Sequence, residues 1–267
     1  MLLRLMASLL VLVTVHTLRA GETVAVKEPL RPFAGDLSHF ESWLKDSGRE
    51  DPQRVFTLKD GVLHVSGEGR GYLATKDAYR DYHLSVEYKW GERRSDKSKY
   101  VRNSGVLLHG TGEHGSAGAW MTSIEVQLAQ GCEGDLIVIA GKDAEGKAYP
   151  ATITSDTRLD TDKRTRWDPQ GKKTLYNGKQ FWWNKHDPAF EELIDTRGKW
   201  DVASKFGEWT KVECICRADR ITIKINDQTV NEAYDVKPSS GRILLQNEGY
   251  EVFFRNLVIS PLASHED

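Results

Sequence analysis

Alternation of apolar and polar positions dominates the chain after residue 21. It recurs at Val62-Leu63-His64-Val65, Leu84 to Tyr88, Ile124 to Leu128 and Ile221 to Ile225, and a period of two is that of a half-buried strand. Two more runs, Arg242 to Gln246 and Val252 to Ile259, flank Asn247-Glu248-Gly249-Tyr250, and Asn226-Asp227 follows Ile225 as a turn. The C-terminal third therefore reads as a β-meander. Short strands spaced by Gly, Asp and Asn, without a long helical period, predict an all-β antiparallel sandwich or jelly roll. A helix of one or two turns is expected around Phe40-Glu41-Ser42-Trp43-Leu44. From about Tyr149 to Trp200 the pattern gives way to charge and turn residues around Trp167, Trp182, Trp183 and Trp200. That stretch is expected to be a long Trp-rich loop insertion beside the site. Four tryptophans supply the apolar area that ordering requires.

The first residues change the picture of where the chain works. Arg4, a largely apolar run from Leu5 to Val15 and small residues at Ala20 and Gly21 have the layout of a signal peptide over residues 1–20. The run falls short of the roughly 20 residues that span a bilayer. Export to the periplasm or the extracellular space is expected, with no membrane anchor after cleavage, and residues 21–267 are expected to form one domain. Lys and Arg number 37 against 39 Asp and Glu, giving a net charge of -2, which argues against the basic surface that nucleic acid demands. Cys214 and Cys216 lie two apart on one strand face, so Cys132 is the one distant partner. Structural thiols are expected, a single Cys132 bridge being the alternative.

On the run Ser123 to Leu128, Ile124, Val126 and Leu128 point one way and Ser123, Glu125 and Gln127 the other. Alone, this is equally the solvated side of an edge strand. Asn103-Ser104-Gly105, however, opens the run Val106 to His109, and Gln246 ends another at Leu244 to Glu248. Amides and carboxylates recurring among Leu, Ile and Val positions imply a polar concave face.

Seven short motifs then appear in order: Phe56-x-Leu-x-Asp60-Gly61-x-Leu63, Gly71-Tyr72-Leu73-x-Thr75, Tyr82-His83-Leu84-x-x-Glu87-Tyr88, Asn103-Ser104-Gly105, Glu125-Val126-Gln127, Gly241-Arg242-Ile243-x-Leu245-Gln246 and Phe254-Arg255-Asn256. Together they resemble the 3-keto-disaccharide hydrolase family, described also as 3-keto-glucoside lyases and 3-keto-2-hydroxyglucal hydratases. The resemblance implies a concanavalin A-like jelly roll acting on 3-keto-glycosides. The chain departs from the family's pattern at Glu248, where members often carry His, and at His109, where they often carry Arg.

Within that resemblance the strand at Glu125 distinguishes two chemistries. A retaining glycosidase needs two carboxyl groups about 5–5.5 Å apart, yet the alternate position here is Gln127. One carboxylate beside an amide suits a single proton abstraction. Glu125, Arg255 and His109 are the expected catalytic groups, the last two stabilising the enediolate oxygen. Asn103, Gln127, Gln246 and Glu248 are expected to hold sugar hydroxyls, and Trp167 or Trp183 to stack on a pyranose face. A divalent metal is a candidate cofactor, with Glu125 and His109 as its ligands. Glu87 and Arg255 equally suit a structural cross-sheet ion pair. A lectin-like binding domain is the competing class, since fold alone does not decide function.

Overall fold

The computed structural model describes residues 23–95 and 99–263, and the expected signal peptide lies outside them. Nineteen strands and no helix occur among the described residues, so no helix there is long and apolar enough to cross a membrane. A seven-stranded sheet runs from edge to edge as β14 (Gln180–Phe181), β10 (Leu136–Ile139), β9 (Thr122–Gln127), β8 (Gly105–Thr111), β18 (Arg242–Glu248), β5 (Arg70–Thr75) and β2 (Phe40–Leu44). A ten-stranded sheet runs β12 (Thr165–Trp167), β11 (Thr152–Leu159), β17 (Gln228–Lys237), β16 (Arg220–Ile225), β15 (Thr210–Arg217), β7 (Tyr82–Arg94), β19 (Tyr250–Pro261), β4 (Val62–Val65) and β3 (Phe56–Lys59), with β13 (Lys172–Tyr176) also paired to β11. Pairing within both sheets is antiparallel, while β1 (Thr23–Ala25) and β6 (Ala78–Arg80) form a small parallel pair.

The two sheets close on one another as a jelly-roll sandwich. Val106, Leu108, Ile124, Val126 and Leu245 from the first sheet join Leu84, Val86, Cys214, Ile223 and Phe254 from the second in one buried cluster. Each such side chain contributes about 1.5–3 kcal/mol on burial, and the alternating pattern ensures that one face of every central strand supplies them. Asn226 and Asp227 join β16 to β17 with φ of 46° and 67°. Two positive φ values give the hairpin turn whose twist matches the flanking strands.

Three expectations need correction. Phe40 to Leu44 is not a helix but the edge strand β2, paired to β5 from Phe40↔Thr75 to Leu44↔Gly71. Ser42 occupies an inward position there, which hides the alternation and leaves Phe40, Trp43 and Leu44 at a helix-like spacing. The stretch from Tyr149 to Trp200 is not one loop, because it contains β11, β12, β13 and β14. Thr, Lys and Asp at both inward and outward positions of these strands conceal their period. The C-terminal third is not a simple meander either. β15, β16 and β17 are successive neighbours, but β18 crosses to the other sheet between β8 and β5, and β19 returns between β7 and β4. All three cysteines are free, with Cys214 and Cys216 inside the sandwich core.

Candidate functional site

The outer face of the seven-stranded sheet gathers the polar strand positions. Glu125 pairs with Leu107, Leu107 with Leu244, Leu244 with Ala74 and Ala74 with Glu41. One row along, Gln127 pairs with Gly105, and Gln246 pairs with Tyr72 and Tyr72 with Trp43. Glu248 pairs with Arg70. Since side chains alternate, these rows share one face. Gly105 matters through what it lacks: a β-carbon there would lie 2.5 Å from Glu125 Oε1 and 3.1 Å from Gln246 Oε1. The carboxyl and the amide converge over the bare backbone.

Glu125 is 5% exposed. Its Oε1 has no hydrogen-bond partner, and neither do Gln246 Oε1 and Asn103 Oδ1. Unsatisfied buried acceptors cost about 1–3 kcal/mol each, so this face calls for the hydroxyl donors of a ligand. Burial above all, then the nearby Glu248 carboxylate, pushes the Glu125 carboxyl up to about 8, with Gln246 pulling weakly the other way. Burial likewise raises Glu248 to about 7 against the pull of Arg70. Asn103 Nδ2 donates to Glu248 Oε2 at 2.9 Å. Gln127 Oε1 is taken up by the backbone N–H groups of Leu128 (3.0 Å) and Ala129 (3.1 Å), so the amide nitrogen is what Gln127 offers a ligand.

An aromatic wall and a depression flank this row. His114 stacks between Trp43 and Tyr72, at 5.4 and 5.7 Å between ring centroids. The Tyr72 hydroxyl and His114 Nδ1 lie 2.8 Å apart, and Arg242 Nη1 donates to Glu41 Oε2 at 2.9 Å. Trp43 and Trp120 are half-buried against Tyr72, Leu107, Met121 and Leu244. They are the aromatic rings of this face that sequence reasoning missed, although Trp43 stands two residues from Glu41, the spacing of a shared strand face. In the other direction a depression of about 490 Å³ is lined by Lys45, Asp46, Gly69, Arg70, Ser95, Glu248 and Gly249.

Other expected residues lie elsewhere. His109 sits in a bulge between Leu108 and Thr111 with φ of 57°, which turns its ring edge-on to Tyr82, a residue of the sandwich core. Its Nδ1 donates to the Pro238 carbonyl at 2.9 Å, and burial depresses it to about 4. Glu125 and His109 therefore do not form the expected metal pair. Arg255 belongs to β19 in the opposite sheet, where its Nε donates to Glu87 Oε2 at 2.7 Å and its guanidinium covers the Trp209 ring at 4.1 Å. The ion pair joins neighbouring strands of one sheet rather than the two sheets. Trp167 and Trp183 are core residues, 6% and 1% exposed, and Trp183 Nε1 donates to the Gly131 carbonyl at 3.1 Å. Neither can stack on a sugar.

Cys132, His186 and Glu192 bring ligand-type atoms within 4.8 Å of one another. Arg166, however, donates to His186 Nδ1 at 3.2 Å and Arg164 to Glu192 Oε1 at 2.8 Å. Two guanidinium groups already supply the positive charge that a cation would bring, so the cluster does not fit a metal.

A sequence model of the 3-keto-alpha-glucoside-1,2-lyase-like domain matches residues 33–260. No curated protein matches the chain. Among solved structures, a candidate glycosyl hydrolase from Parabacteroides distasonis superposes with a TM-score of 0.51 at 15% identity, covering 88% of this chain and 94% of that one. A second one from the same organism gives 0.49 at 18% identity, covering 88% and 100%. The carbohydrate-binding module CBM66 from Bacillus subtilis gives 0.47 at 9% identity, covering 90% and 99%.

Proposed function

The chain belongs to the 3-keto-alpha-glucoside-1,2-lyase-like domain family, a family of carbohydrate-processing domains, and from that premise we propose that it cleaves 3-keto-glycosides by elimination. The ketone at C3 acidifies the hydrogen at C2. Glu125 takes that proton, the electron pair forms the C1–C2 double bond through an enediolate, and the C1–O bond breaks. The sugar leaves as a 2-hydroxyglucal-type enone, and addition of water to it completes a net hydrolysis. Export guided by the apolar leader from Leu5 to Val15 puts the reaction outside the cytoplasm.

The observation that carries this reading is the state of Glu125: a buried carboxyl with one unpartnered oxygen, set among amides with no second carboxylate at Gln127. Double displacement lacks its partner on that strand. A base whose affinity for protons lies near neutrality is well matched to abstraction next to a ketone. Asn103 and Gln246 present acceptors to sugar hydroxyls, and the Gln127 amide nitrogen donates.

The test is the absorbance of the enone product with 3-keto-glucosides as substrates. Glu125→Gln is expected to lower kcat by about 10²–10⁴-fold while sugar binding measured by calorimetry changes only a few-fold. Saccharide binding by the wild type without any turnover would leave a lectin-like domain instead.

A further inference from the structure

Elimination has two ends, and Glu125 serves only one of them. As the C1–O bond breaks, negative charge grows on the departing oxygen, and an alkoxide leaves slowly unless a proton reaches it in the transition state. A second carboxyl stands on the same face. Glu248 ends β18 two residues beyond Gln246, roughly 7 Å along the strand on its outer side, and its charge is felt at Glu125. Asn103 Nδ2 occupies one of its oxygens at 2.9 Å, which orients the carboxyl and leaves the other oxygen for a proton. Glu248 also lines the depression of about 490 Å³, so it stands between the proposed base and the open volume.

We propose that Glu248 is the general acid of this site, protonating the glycosidic oxygen as it leaves, and that the depression beyond it receives the leaving group. The proposal rests on the reading of Glu125 as base. Protons balance: Glu125 gains the one from C2, Glu248 gives one to the departing alcohol or phenol, and exchange with solvent resets both. Burial raises Glu248 to about 7, so its protonated and ionised forms are present in comparable amounts at neutral pH. Arg70 on β5 favours the ionised form against the effect of burial, Asn103 Nδ2 donates to one carboxyl oxygen, and Lys45 and Asp46 line the same depression.

A graded series of 3-keto-glucosides carrying nitrophenyl, phenyl and methyl leaving groups tests this. Glu248→Gln is expected to slow the methyl glycoside by on the order of 10²-fold or more and the nitrophenyl glycoside by less than about 5-fold, since an acidic phenol departs without help. Glu248→Asp, which keeps the acid but shortens its reach, is expected to fall between. An equal loss across the series, or no loss, would overturn the role of Glu248 while leaving Glu125 as base. A wild-type protein inert toward every member would instead remove the elimination reading itself.

Discussion

Burial raises the Glu125 carboxyl from 4.5 to about 8, so ionising it costs the folded state. A group with a raised folded value contributes stability that is complete below its unfolded value and is lost as pH rises through the folded one. Glu125→Gln cannot ionise and escapes that loss. It is expected to melt close to the wild type at pH 5 and to exceed it at pH 9 by on the order of 2–4 kcal/mol. Glu133, raised to about 8 in the same direction, is common to both proteins and cancels in the comparison. Parallel melting curves at the two pH values would contradict the burial of Glu125. At this scale the sequence was informative where alternation governs: Glu125 and Gln127 were readable as residues of one strand face, and Gln246 as an amide ending an apolar run. His109 was not, because a single bulge with φ of 57° reverses the face that alternation assigns.

Strands β8 and β9 show why an absent side chain belongs to the site. Gly105 pairs with Gln127, and the space above it is shared by the heads of Glu125 and Gln246. Gly105→Ala is expected to displace the Glu125 carboxyl, lowering kcat by at least about 10-fold for a cost of roughly 1–3 kcal/mol in stability, the scale of an overpacked site. Unchanged turnover by this variant would show that the convergence over Gly105 is dispensable. Element types were legible where β-branched and apolar residues alternate, as in β4, β7, β9 and β16. They were obscured in β2, where Ser42 faces inward, and in β13, where lysines and threonines fill an exposed outer strand. The first of these hid Trp43 and with it the aromatic wall.

Across the whole molecule, the residues of the proposed site lie on one of the two sheets. Arg255 lies in the other, with its side chain 38% exposed and paired to Glu87. Arg255→Met is expected to leave kcat/KM within about twofold and to cost about 0–1 kcal/mol, the range of exposed ion pairs. A tenfold fall in kcat/KM would return this residue to the site. Sequence alone could not make that assignment, because alternation shows that a stretch is a strand without showing which sheet receives it.

The same crossing of β18 and β19 between sheets has a consequence in time. β19 (Tyr250–Pro261) lies between β7 and β4, strands that precede it by more than 150 residues of chain. The ten-stranded sheet therefore stays open between β7 and the edge pair β4 and β3 until this late segment has arrived. Contacts that join such remote segments form slowly, because the closure of the long intervening chain must be met before they are gained. A nascent polypeptide of this design can complete its larger sheet only when that closing strand is delivered.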